Sequence, residues 1–230
     1  MNKLFNYDSP VFQLLGRLTD LAILGMLFLV CCLPVVTVGA AASAIFRAVY
    51  DLTLERGAGA VRNYFRAFRN NFKQATGAWL LALLGFFSLL CDWFLLRLYF
   101  EGTAFTMLSY IVLALAPGLV GLLCYLFALI ARYENTLWEH VRNAFILSIR
   151  YFHKTLLMVL LQLLPLLMAT YMPYVLINTL LFWILFCAGF TYQANAYLLR
   201  PVFEKLESGE LTGQADATDK TDREDEADEE

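Results

Sequence analysis

Apolar residues dominate this chain in five long stretches, and two basic stretches of about twenty residues each interrupt them. The apolar runs are Leu18–Val38, Ala75–Phe100, Thr103–Arg132, Thr155–Met172 and Tyr174–Leu199. A helical crossing of a bilayer core takes about 20 apolar residues. The pattern therefore predicts an all-α membrane protein, a polytopic bundle of about five transmembrane helices. Loops rich in Lys and Arg stay on the cytoplasmic side, which places both basic stretches in the cytoplasm. Five crossings would put the N-terminus outside.

The first span is interrupted. Ser9-Pro10 predicts a helix start, since Ser caps and Pro suits the first helical position. The helix should run to about Cys32 and break over Leu33-Pro34-Val35-Val36-Thr37-Val38-Gly39. Pro34 removes a backbone donor and Gly39 permits the turn, with Thr37 between them. Broken backbone survives in lipid only under cover of protein or water, so the break is expected to pack against other helices. It reads either as a kink or as a functional discontinuous helix. If it is a re-entrant turn, the N-terminus moves to the cytoplasm. Small residues, Ala40–Ala44, follow it.

The basic loops share a plan. In the first, Val61, Phe65, Phe68 and Phe72 recur at helical spacing with Arg62, Arg66 and Arg69 between them. In the second, Trp138, Val141, Phe145, Ile149 and Phe152 are interleaved with Arg142 and Arg150. Each predicts an amphipathic interfacial helix on the cytoplasmic face. Val61-Arg62-Asn63-Tyr64-Phe65 matches Val141-Arg142-Asn143-Ala144-Phe145 at a shift of 80. An internal repeat of span, interfacial helix and span follows from that register, with the fifth span left over.

Composition sharpens the picture. Hydrophobic residues make up 60% of 230 and charged residues only 16%, where soluble domains carry about 25%. From Glu204 onward twelve acids face three bases, which leaves a basic body despite the overall charge of −3. Two regions result: a membrane domain over 1–205 and an acidic cytoplasmic tail over 206–230, expected to be disordered. The leader before the first apolar run is long and mixes Asp8 and Asp20 with Lys3 and Arg17, so the first span is read as uncleaved.

Candidate chemistry is sparse. Asp92 and Arg97 form the candidate intramembrane polar site, because an ionisable group inside a span is costly. Arg97 can reach Trp93 or pair with Glu101, and Asp20 lies one turn from Arg17. Gln162, Asn178, Gln193 and Asn195 are expected to bond between helices, or in the case of Asn195 to be wet. His140 and His153 read as surface residues. The five cysteines lie in apolar runs without metal spacing and read as buried small hydrophobes. No nucleophile–base pair, metalloprotease motif or phosphate loop stands out, so neither catalysis nor a metal or cofactor is expected.

Three segments carry a family resemblance: Leu33-Pro34-Val35-Val36-Thr37-Val38-Gly39-Ala40-Ala41, Phe65-Arg66-Ala67-Phe68-Arg69-Asn70-Asn71-Phe72-Lys73 leading into a span, and the second basic loop through Phe152-His153-Lys154. The chain resembles the YesL-like family of small bacterial membrane proteins over about residues 1–205. The resemblance implies residence in the bacterial cytoplasmic membrane and an association with carbohydrate uptake and utilisation. It brings no catalytic residues.

Two readings remain open. One is a non-enzymatic accessory protein whose faces at Arg62, Arg66, Arg69, Arg142 and Arg150 hold anionic lipid or dock a membrane or cytoplasmic protein of a sugar-import system. The other is a small-solute transporter or channel whose path lies near Pro34–Gly39, Pro117-Gly118 and Asp92. No nucleic-acid partner is expected.

Overall fold

A computed structural model describes residues 10–54, 59–178 and 186–208. Among them the regular elements are helical throughout. They are α1 (Pro10–Cys32), a 3-10 turn (Val35–Thr37), α2 (Val38–Thr53), α3 (Ala60–Tyr99), α4 (Gly102–Arg132), α5 (Leu137–Arg150), α6 (Phe152–Tyr171), α7 (Pro173–Asn178) and α8 (Ala188–Glu207). Four helical segments are long and apolar enough to cross a membrane, and a fifth is added if the bent pair α5–α6 counts as one. Ser9, the expected cap of α1, lies outside the described residues, as do most of the acidic tail and part of the fifth apolar run. Helix α8 continues to Glu207, so the first tail residues are helical.

Helix α2 organises the core. The small-residue stretch after the break is a helix buried almost without interruption from Gly39 to Tyr50. Alanines at 40, 41, 42, 44 and 48 bring neighbouring backbones close, as small residues do in helical membrane packing. Gly39 is the tightest point: a Cβ there would collide with the Ala75 carbonyl oxygen and the Trp79 Cβ of α3. Gly189 plays the same part where α8 crosses the Leu21 carbonyl of α1.

The break has its expected cover only in part. Its first side chains are exposed, Leu33 at 80% and Val35 at 61%, whereas Val38 is half-buried and Gly39 packs against α3. Its backbone is satisfied partly from within and partly from α3. The Thr37 hydroxyl lies 2.6 Å from the Cys31 carbonyl and 2.8 Å from that of Pro34. The Trp79 indole N–H donates to the Val35 carbonyl at 2.7 Å.

Helices α3 and α4 form an antiparallel hairpin, with Gln74 bonded to the Asn135 carbonyl, Trp79 beside Phe127 and Gly85 against Leu119. At 40 residues α3 is about 60 Å long, twice a hydrocarbon core. Val61–Phe72 is thus the start of this one helix and not a separate interfacial helix. No proline interrupts α3, and the change from basic to apolar residues near Ala75 does not by itself end a helix. Away from this basic end the hairpin exposes Leu84, Phe87, Leu90, Phe94, Tyr110, Ile111 and Leu113, an apolar surface suited to lipid.

The second basic loop does form its own helix. Thr136 caps α5 in a reciprocal box: its hydroxyl accepts from the Glu139 amide at 3.4 Å and its own amide donates to the Glu139 carboxylate at 2.8 Å. A bend of 102° at Tyr151 then turns the chain into α6. The Thr155 hydroxyl, 2.7 Å from the Ser148 carbonyl, braces the corner. The matched segments of the two loops turn equivalent positions inward, Tyr64 with Ala144 and Ala67 with Leu147. Asn63 is buried whereas Asn143 is exposed, and only the second segment is set off by a bend.

Candidate functional site

Five helices meet around a central cavity of about 260 Å³. Helix α2 supplies Val38, Ala42 and Phe46; α3 supplies Trp79 and Phe86; α4 supplies Phe127 and Cys124; α6 supplies Gln162; α8 supplies Tyr192 and Asn195. Among the described residues no charged side chain lines it. The Gln162 amide nitrogen reaches the Cys124 sulfur at 4.0 Å and lies near the Tyr192 hydroxyl. Asn195 is only 2% exposed, and its side-chain oxygen has no hydrogen-bond partner among the described residues. It is buried among helices rather than exposed at the end of its span. The Trp79 ring forms a wall, 6.4 Å from Phe127, while its N–H holds the Val35 carbonyl. The cavity is therefore a neutral chamber of amides and a phenol set in aromatic walls.

A second, polar cleft of about 230 Å³ lies at the basic end of the bundle, between α2, α3 and the end of α4. Arg47 pairs with Asp51 at 3.3 Å and donates to the Ala131 carbonyl at 3.3 Å, satisfying one of the orphan acceptors at the end of α4. Arg132 holds the Glu207 carboxylate from Nε and Nη2 at 3.0 and 2.6 Å. Its guanidinium lies 4.5 Å from the Tyr50 ring centroid and 4.9 Å from that of Phe203. These contacts tie the end of α8 to α2 and α4. Arg66 is the exposed basic residue on the rim.

The residues singled out in the sequence separate into distinct places. Arg62, Arg66 and Arg69 are exposed along the first turns of α3, beside Val61, Phe65 and Phe72. Arg142 and Arg150 are exposed on α5 with Phe145 and Ile149. Asp92 is exposed in the far half of the α3–α4 hairpin, on a shallow apolar cleft with Leu95, Tyr99, Leu108 and Ile111. Arg97 lies 5.9 Å over the Trp93 ring, and among the described residues it makes no ion pair with Glu101. Asp92 thus stands apart from the break, whereas Val38, next to Thr37, reaches the central cavity. Pro34, Thr37 and Gly39 shape the backbone there and do not line the chamber.

Among the polar residues of the later spans, Gln193 bonds Thr53 of α2 at 2.9 Å, an interhelical bond as expected. Asn178 instead donates within its own helix, to the Tyr174 carbonyl at 2.8 Å. His140 departs most from its surface reading. Its ring is fully buried against the α4–α5 corner, and neither nitrogen has a hydrogen bond of good geometry among the described residues. Burial holds its pKa below 6.5, offset only in part by Glu139 and the Tyr133 backbone. Glu139 itself is held below its ordinary pKa by the Thr136 amide and hydroxyl of the capping box. Among the described residues no group of three or more His, Cys, Asp or Glu is arranged to hold a metal ion.

The residues that sequence reasoning missed are Trp79, Tyr192 and the aromatic cage of Arg132. Trp79 carried a signal, as a lone indole four residues past Ala75 at the start of an apolar run. The Arg132 cage did not, because its partners come from two distant segments, Tyr50 on α2 and Phe203 with Glu207 on α8. No curated protein and no solved structure matches this chain. Residues 21–93, from α1 through the break and α2 into α3, match the family model described as protein of unknown function, DUF624, and the YesL-like resemblance is consistent with that family.

Proposed function

We propose that this protein is a non-enzymatic accessory component of the bacterial cytoplasmic membrane, linked to carbohydrate uptake or utilisation, whose basic end docks a partner protein on the cytoplasmic side. The observation that supports it is the first part of α3. Its inner face, Tyr64 and Ala67, is locked into the core, so its outer face is a rigid row of Arg62, Arg66 and Arg69 with Phe65 and Phe72. A preorganised surface of arginines and aromatics is the composition that protein interfaces favour. Anionic headgroups would hold the same end at the membrane surface, together with Arg142 and Arg150 on α5. The test is affinity purification in mild detergent of the wild type and of Arg66→Glu/Arg69→Glu. A co-purifying protein present with the first and lost with the second supports docking; retention of every partner contradicts it.

A second reading, a small-solute transporter, is favoured by the central cavity. Any such path would run by Gln162 and Asn195 and bypass Asp92, so Asp92→Asn would leave flux into liposomes unchanged.

A further inference from the structure

We propose that the central cavity is a binding site for a small uncharged solute that carries both hydrogen-bond donors and acceptors. The site is independent of the docking face and uses none of its arginines.

Three observations converge. First, Asn195, Gln162 and Tyr192 line one chamber inside an apolar bundle: Gln162 lies beside the Tyr192 hydroxyl and 4.0 Å from the Cys124 sulfur, and the Asn195 oxygen has no partner among the described residues. Buried polar groups are normally paired, so an amide without a partner at the wall of a chamber can turn to a ligand that enters it. Second, the chemistry selects the ligand. Amides offer a donor and an acceptor side by side, and a phenol offers either. Among the described residues no charged side chain lines the cavity, so an ion would lose its hydration with no opposite charge to replace it. The aromatic walls, Trp79 and Phe127, suit a ligand with an apolar face. Third, a volume of about 260 Å³ has room for a compact solute.

The site also has a reason to respond. It touches five helices, including Val38 at the break, so a ligand in it would contact all five at once. A ligand that binds the folded chain stabilises it by mass action.

The experiment is equilibrium binding to the purified full chain in neutral detergent, with radiolabelled xylitol and myo-inositol as neutral probes and gluconate as a charged counterpart. Saturable binding of a neutral probe and none of gluconate is expected. Gln162→Leu and Asn195→Leu should each weaken it by about tenfold or more. Val120 of α4 also lines the chamber, and Val120→Phe, which fills it without removing a polar group, should abolish binding. Arg66→Glu/Arg69→Glu should leave it unchanged, which separates this site from docking. Absence of saturable binding of both neutral probes up to about 10 mM, the weak end of specific recognition, overturns the proposal. So does a Val120→Phe variant that still binds, or an Asn195→Leu variant that melts higher than wild type and binds equally well, for the chamber is then a water-filled gap.

Discussion

Gly39 sets the distance between α2 and α3, because the α3 backbone occupies the space that a side chain would need. Gly39→Leu should therefore cost about 1–3 kcal/mol or more, read as a lower melting temperature in detergent, whereas Gly77→Leu, where a Cβ meets only ordinary contact, should cost much less. Equal melting temperatures for the two would refute this assignment. His140 makes a second claim at this scale. Its folded pKa is depressed, so the unfolded chain takes up the proton first as pH falls. The stability tied to neutral His140 is fully present above pH 6.5 and is lost as pH drops through the folded pKa. Melting temperature should fall between pH 7 and pH 5 in the wild type and fall less in His140→Leu; identical profiles would show that the burial carries no linkage. Pro34, Thr37 and Gly39 were legible as a break from residue type alone. The bond that closes it was not, since Trp79 lies 44 positions beyond Val35 and nothing local predicts their meeting. His140 was misread because its exposure depends on how α5 packs, not on the polarity of its neighbours.

At the scale of elements, the two basic loops are alike in sequence and unlike in shape. Read by composition, both look like interfacial helices. In the first, no residue ends the helix between Ala60 and Tyr99, so the basic turns and the apolar turns form one rod. In the second, the corner at Tyr151 and a dedicated cap separate α5 from α6. That cap was readable as Thr136-x-x-Glu139 and is the clearest local signal that the apolar pattern obscured. Thr136→Ala should destabilise α5 by about 1 kcal/mol, seen as faster amide exchange over Leu137–Val141 with α3 unaffected. Unchanged exchange in α5 would show that tertiary packing alone holds it. Helix α2 was the element hardest to foresee. Its alanines and Ser43 fall outside the five apolar runs read from the sequence, yet their small size is what lets α1, α3, α4 and α8 close around it.

For the whole molecule, the apolar runs made an all-α membrane fold legible, because lipid demands long unbroken apolar helices and this chain supplies them. Span number was less legible, since length and composition do not say whether a bent pair such as α5–α6 is one crossing. The candidate site was legible only in pieces. Gln162 and Asn195 were noted as polar points, but only the packing of five helices brings them to one chamber. The arrangement suggests a division of labour along the bundle, with a lipid-facing hairpin at one end, a neutral chamber in the middle and a basic, aromatic surface at the other. The proposed docking role depends on the basic end facing the cell interior. Impermeant maleimide labelling of intact cells tests that directly, using Arg69→Cys, Arg142→Cys and Glu101→Cys in a chain stripped of its five native cysteines. The account predicts labelling of position 101 from outside and of positions 69 and 142 only after the membrane is opened. Modification of position 69 or 142 in sealed cells would contradict it.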